Sequence, residues 1–136
     1  MVPFYRRRAA GFGGFITRDE FVRFVPSDVT DVLRRMPSFT VRPNPSFDRI
    51  LPNGMIDTRR YRIEVTTRAR RTAAQECAPI IFLDGAYLGN TRDVDVDVLP
   101  VDAMEAMETY ALVGSIPPEF NRSGAVCGVI ALWTRR

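Results

Sequence analysis

The sequence contains no histidine and no lysine, so all 19 of its basic residues are arginine. Without histidine, the chain has neither a Ser-His-Asp or Cys-His catalytic group nor a histidine-based metal site. The segment Gly11-Phe-Gly-Gly is too short for a dinucleotide-binding loop and follows no predicted strand. We therefore expect no enzymatic activity, no catalytic residue, no bound metal and no other cofactor.

Long apolar runs are also missing from the 136 residues. A membrane-spanning helix needs about 20 consecutive apolar residues, so we expect no transmembrane segment. The first residues, Met1-Val-Pro-Phe-Tyr-Arg-Arg-Arg, carry charge but no apolar stretch, and they are not a signal peptide. A chain complete as printed would stay in the cytoplasm, whereas a fragment could have lost an export signal.

The arginines give the chain a net charge of +3 and occur partly in clusters. Because arginine makes bidentate contacts with phosphate, one interpretation is a surface for nucleic acid or anionic lipid. Sixteen acidic residues are interspersed, however, and the aromatic pattern of an RNA-binding sheet is missing. A GC-rich genome explains the preference for arginine more simply. The clusters are Arg6-Arg7-Arg8, Arg59-Arg60-Arg62 and Arg68-Arg70-Arg71.

Two short helices are predicted near the N-terminus. Thr17 and Glu20 form a capping box that begins the first helix, which ends before Pro26. Ser27 is expected to cap the second helix, and Pro37 ends it. The apolar positions of the second helix, at helical spacing, are Val29, Val32, Leu33 and Met36.

The chain is expected to divide at residue 15. Residues 1–15 are rich in arginine and glycine and are predicted to form a lead-in without regular structure, followed by a domain over 16–136. Within that domain the patterns predict strands over 39–42, 61–68, 78–83, 106–111 and 126–134. The predicted fold class is α+β, a small mixed β-sheet with the two helices packed on it.

Two of the predicted strands have distinctive patterns. In one, Tyr61, Ile63, Val65 and Thr67 alternate with polar residues and are expected to share one face. The strand over 78–83 is apolar throughout, as in a central strand covered on both sides, and Asp84-Gly85 turns the chain into a hairpin.

Asp93, Asp95 and Asp97 alternate with valines, which predicts a further strand with a solvated acidic face. Calcium binding is the alternative for such a face. A calcium loop that starts at Asp93 would need glycine at 98 and glutamate at 104, where Val98 and Met104 stand. We therefore expect no metal site here.

Cys77 and Cys127 are the only cysteines, and they lie 50 residues apart. Neither has the close partner that a zinc site needs. Each lies at the start of a predicted apolar strand or within one, so a disulfide between neighbouring strands is one prediction, which requires an oxidising compartment such as the periplasm. Two buried free thiols that act as small apolar side chains are the alternative.

Several segments, taken in order, resemble the plug domain of TonB-dependent outer-membrane receptors. Near the N-terminus these are Ile16-Thr-Arg-Asp-Glu-Phe and Asp31-Val-Leu-Arg-Arg-Met-Pro. The later ones are Pro79-Ile-Ile-Phe-Leu-Asp-Gly, Met104-Glu-Ala-Met-Glu-Thr-Tyr and Gly124-Ala-Val-Cys-Gly-Val-Ile. The resemblance covers most of the chain. It singles out five motif residues: Asp84, Gly85, Glu108, Gly124 and Gly128.

The chain also departs from that family. Ser38 stands where plug domains usually have glycine, and Arg70-Arg71 leads to Glu76-Cys77 where an Arg-Gly strand is usual. No barrel follows. The paired cysteines and the segment Ile116-Pro-Pro-Glu-Phe are similar to a plug-like subgroup that lacks a barrel and lies behind a carboxypeptidase-regulatory-like domain.

The resemblance implies a non-catalytic plug-like module of the periplasm or outer membrane, associated with receptor-type uptake or with protein interaction. Its expected partner is an outer-membrane barrel or a periplasmic protein. No nucleic acid is expected as a partner. The loops over 43–54, 89–92 and 115–121 are where a partner would touch, but no single ligand-binding residue is assigned. The alternative function is a cytoplasmic, arginine-rich nucleic-acid-binding domain.

Overall fold

The computed structural model describes residues 2–66 and 77–135. The helices of this part are α1 (Val2–Ala10), α2 (Arg18–Phe21) and α3 (Val29–Leu33). The strands are β1 (Gly14–Thr17), β2 (Phe39–Pro43), β3 (Tyr61–Val65), β4 (Ile80–Leu83), β5 (Ala86–Asn90), β6 (Met104–Tyr110) and β7 (Val129–Thr134). No helix of this part is both long and apolar enough to cross a membrane.

Five of the strands form one mixed sheet in the order β1-β6-β7-β4-β5. β6 is antiparallel to β1 and β7, whereas β4 runs parallel to β7 and pairs with β5 in a hairpin. β2 and β3 form a separate antiparallel pair. The predicted α+β class, with a small mixed sheet and short helices, is confirmed.

The core lies on both faces of the five-stranded sheet because successive side chains of a strand point to opposite sides. On one face Ile130 and Leu132 of β7 pack with the buried residues of α2 and α3. The four residues predicted as the apolar stripe of the second helix are all in this cluster, although α3 ends at Leu33, earlier than predicted, and Met36 lies beyond it. On the other face Val129 and Ala131 pack with an aromatic group that includes Tyr110 and Phe120.

The prediction that residues 4–15 lack regular structure is wrong. They contain most of α1 and the start of β1, and the Phe4 side chain is fully buried, with its ring 5.6 Å from that of Phe15. Gly14 pairs with Thr109 at the edge of the sheet, where a Cβ atom would lie 2.7 Å from Thr109 Oγ1. The glycines therefore permit close strand pairing. The division of the chain at residue 15 stays a prediction.

The predicted start of α2 is confirmed, whereas that of α3 is displaced by one residue. The main-chain N–H of Thr17 and its Oγ1 both donate to Glu20 Oε1, at 3.1 and 2.9 Å. For α3 the N-cap is Asp28, whose carboxylate accepts from the N–H of Asp31 at 2.8 Å. Ser27, predicted as the cap, instead donates its hydroxyl to the Asp31 carboxylate at 2.6 Å.

Ile63 and Val65 of β3 are buried, and so are Arg62 and Glu64, which point to the opposite face of the strand. Strand β3 is therefore buried on both of its faces. Glu64 Oε1 accepts from Arg62 Nη2 at 3.0 Å and from Arg42 Nη2 at 2.8 Å. The charges can be buried because they compensate one another. Thr67, Arg68, Arg70 and Arg71 lie outside the described residues.

The predicted acidic strand over 93–98 is also wrong. The segment contains a turn and a short 3₁₀-helix, Val96–Val98. Asp97 points inward and accepts from the N–H and Oγ1 of Thr30, at 2.8 and 2.6 Å. Burial raises the pKa of Asp97, and these hydrogen bonds oppose the rise. Within 2–66 and 77–135, no group of three potential ligands is arranged to hold a metal ion.

A disulfide joins Cys77 to Cys127, with a Cα–Cα distance of 5.2 Å. The two residues lie just before β4 and β7, which run parallel as neighbours in the middle of the sheet. The alternative of two free thiols does not apply to this structure, because neither cysteine is free. The disulfide therefore fixes the ends at which both strands begin.

Replacing both cysteines, Cys77→Ser with Cys127→Ser, should lower the free energy of unfolding by about 4 kcal/mol, because the crosslink closes a long loop in the unfolded chain. Urea denaturation of the oxidised protein and of the double variant measures the difference. Equal denaturation midpoints in the two proteins would contradict this prediction.

Candidate functional site

The Glu108 side chain is completely buried on the aromatic face of the sheet. Its carboxylate accepts four hydrogen bonds. Arg7 donates from Nε at 2.6 Å to Oε1 and from Nη2 at 3.0 Å to Oε2. The Tyr110 hydroxyl donates to Oε1 and the Trp133 indole to Oε2, each at 3.0 Å. We call these four residues the Glu108 cluster.

Three elements position the Glu108 cluster. Glu108 and Tyr110 lie two residues apart on β6, so both point to the same face. Trp133 comes from the neighbouring strand β7, on which Ala131 pairs directly with Glu108. Arg7 reaches across from α1. The cluster therefore joins the N-terminal helix to the two strands that pair in the middle of the sheet.

Aromatic rings surround the Arg7 guanidinium. Its central carbon lies 4.9 Å from the centre of the Phe120 ring and 5.9 Å from that of Trp133, which allows cation–π attraction. Its Nη1 also contacts Glu119 Oε1 at 3.2 Å, at the exposed rim. Arg7 is thus held by one buried carboxylate, one exposed carboxylate and two ring faces.

Burial and the charge of Glu108 act in opposite directions on the pKa of Arg7 and in the same direction on the pKa of Tyr110. Burial by itself would lower the pKa of Arg7, but the hydrogen bond and negative charge of Glu108 outweigh it, so the pKa is raised. Burial raises the pKa of Tyr110, and the nearby Glu108 charge raises it further. The arginine therefore stays charged and the tyrosine stays protonated. With its lone pairs occupied, the Glu108 carboxylate serves as a structural clamp.

Asp84 and Gly85 form the turn between β4 and β5, and both have positive φ angles, +51° and +88°. The Asp84 carboxylate accepts from the N–H of Thr134 at 2.9 Å and from its hydroxyl at 2.6 Å. Asp84 thereby ties the β4–β5 hairpin to the end of β7.

Gly124 and Gly128 flank Cys127 before β7, and both have positive φ angles. A Cβ atom at Gly128 would lie 2.8 Å from Val65 Cγ2. These glycines and the disulfide thus lie where β4 and β7 begin, whereas Asp84 lies where they end. The structure brings the five motif residues onto one strand pair and its neighbour β6, and their functional role stays a prediction.

Arg7, Tyr110 and Trp133 are the cluster residues that the sequence did not single out. Tyr110 could have been found, since it lies two residues after Glu108 on a predicted strand. Arg7 gave no such signal, because its partner is 101 residues away in the chain.

A cleft of about 380 Å³ opens beside β1, between residues 11–14 and the segment 109–115. Apolar side chains and main chain form much of its lining, and Ser38, Thr109 and Ser115 supply hydroxyl groups. This volume is within the usual range of small-molecule sites. Among the residues that the structure describes, none with a charged side chain lines the cleft.

The fold is similar to part of the solved structures of siderophore receptors. The siderophore receptor PirA from Acinetobacter baumannii matches with a TM-score of 0.63 and 18% identity, over 93% of this chain and 17% of its own. A mutant of the ferric enterobactin receptor PfeA from Pseudomonas aeruginosa matches with a TM-score of 0.64 and 18% identity, over 98% of this chain and 18% of its own.

These matches confirm the plug-like α+β fold that the sequence predicts, and at such low identity they show the fold alone. The chain spans less than a fifth of the length of either receptor. No protein-family model matches the sequence, and no curated protein matches it.

The raised pKa of Tyr110 makes stability depend on alkaline pH. Above the ordinary tyrosine pKa of about 10, the unfolded chain releases the hydroxyl proton of Tyr110, whereas the folded chain keeps it. The free energy of unfolding therefore falls by about 1.4 kcal/mol for each pH unit above that value. The variant Tyr110→Phe should lack this contribution. Urea denaturation of both proteins from pH 9 upward measures it, and parallel pH profiles would contradict it.

Proposed function

We propose that this chain is a non-catalytic plug-like module of the bacterial outer membrane or periplasm that takes part in receptor-type uptake or protein interaction. The main support is the fold, which matches siderophore receptors over more than nine-tenths of the chain. The matched region is a small part of each receptor, as expected of a module that works together with another structure.

The disulfide supports an oxidising compartment. Disulfides persist in the periplasm and on cell surfaces but are rare in the cytosol, where thiols are kept reduced. The Cys77–Cys127 bond lies just before β4 and β7, which are neighbouring inner strands of the sheet. We infer that the module acquires its final stability after export.

The clamp in the Glu108 cluster supports a non-catalytic role. A general base needs a carboxylate that is free to reach a substrate proton. Glu108 is fully buried, and four donors occupy its oxygens. The siderophore receptors that share the fold are likewise receptors by name and not enzymes.

The loop over 44–57 supports contact with a partner. Ile50, Met55 and Ile56 are exposed at its tip. The base of the loop is fixed, because Asn44 Nδ2 donates to Asp57 Oδ2 at 2.9 Å and to the Arg59 carbonyl at 2.8 Å. A loop with an exposed apolar tip, held at its base by hydrogen bonds, is suited to contact with another protein. A barrel, or a periplasmic protein in a barrel-less subgroup, is the partner we propose.

Expression of the gene from its native upstream DNA, followed by cell fractionation and thiol trapping, tests the proposal. We expect the protein in the envelope or periplasmic fraction, with no cysteine labelled by a mass-adding reagent. The variant Cys127→Ser is the matched control, since it frees Cys77 and should add a single label in the same fraction.

A cytosolic protein with two labelled cysteines would overturn the proposal. The nucleic-acid alternative would then predict binding to DNA or RNA that weakens steeply as salt is raised.

A further inference from the structure

The outward face of α1 is apolar. Phe4 of this helix is buried and Arg7 is partly buried, whereas its other side chains are exposed. At 100° per residue, Val2, Tyr5 and Ala9 share the face opposite Phe4 and Arg7. Val2 is 69% exposed and Tyr5 is 48% exposed. Apolar side chains at helical spacing thus point away from the core.

Arginines border this apolar face. Arg6 and Arg8 are exposed, whereas Arg7 is turned inward onto Glu108. Arg8 contacts Glu20 at 3.6 Å, but both side chains are 45% exposed, so the pair is weak. Residues 2–17 contain no acidic residue. The local charge of the helix surface is therefore positive.

Phe12 extends the surface beyond the helix. It lies two residues after the end of α1, follows a glycine with a φ angle of +78°, and is 73% exposed. Aromatic side chains favour the interface between membrane and water, where an apolar body meets polar headgroups. Phe12 therefore adds an aromatic anchor beside the arginine-bordered face.

We propose that the surface formed by Val2, Tyr5, Arg6, Arg8 and Phe12 binds the headgroup region of an anionic phospholipid membrane. Helices that lie on membranes combine an apolar face with flanking cations, and here both features occur on one short helix. A nucleic acid would pair with the arginines but would leave Val2 unburied. This inference does not depend on the proposed function.

Co-sedimentation of the full chain with vesicles tests the inference. We expect binding to vesicles of phosphatidylglycerol and phosphatidylcholine in equal parts, weakened by salt, and little binding to phosphatidylcholine alone. The variant Arg6→Gln with Arg8→Gln should bind about 30-fold more weakly, because each cation near an anionic surface strengthens binding by about fivefold. Arg6→Lys with Arg8→Lys should keep the binding, and Val2→Gln with Tyr5→Gln should lower it.

Arg49→Gln with Arg60→Gln is the matched control. Both arginines are exposed on the loop region that carries the apolar tip, and the change in net charge is the same. Binding should be unchanged in this variant. An equal loss in the control, equal binding to both kinds of vesicle, no binding to anionic vesicles, or tighter binding to an RNA or DNA duplex would each overturn the inference.

Discussion

The buried carboxylate of Glu108 is the constraint on which the arrangement of this protein depends. A carboxylate removed from water is tolerated only when charge and hydrogen bonds compensate it. Its four donors come from α1, β6 and β7, which are distant in the chain. All three elements must therefore be in place before the charge can be buried. The N-terminal segment, expected to form no helix, contains α1, and Arg7 of α1 joins it to the sheet through Glu108.

Strand β7, which carries Trp133 of the Glu108 cluster, and its neighbour β4 are fastened to each other at both ends. The Cys77–Cys127 disulfide holds β4 and β7 where they begin, and the Asp84 carboxylate holds Thr134 where they end. Exposed apolar residues then lie on the outside of this frame, on the outward face of α1 and at the tip of the loop over 44–57. These exposed residues are the ones through which the proposed module would contact a partner.

Features that depend on local pattern could be predicted from the sequence. The capping box at Thr17, the buried stripe of α3 and the Asp84-Gly85 hairpin each follow from residues within one turn or one strand. Other features depend on contacts across the fold. Glu64 is buried where it accepts from Arg42 of the neighbouring strand as well as from Arg62, and Asp97 points inward because its carboxylate accepts from Thr30, 67 residues away. No local periodicity encodes such pairings.

Two double-mutant cycles that share Arg7 test the account most directly. The first combines Arg7→Met with Glu108→Gln, and urea denaturation measures the coupling free energy. We predict a coupling of about 2–3 kcal/mol, because either change leaves a buried group without its partner. The second cycle combines Arg7→Met with Glu119→Gln. Because Glu119 is exposed, its coupling free energy with Arg7 should be less than about 1 kcal/mol. Additive effects of Arg7 and Glu108, within about 0.5 kcal/mol, would contradict the claim that this pair holds α1 on the sheet.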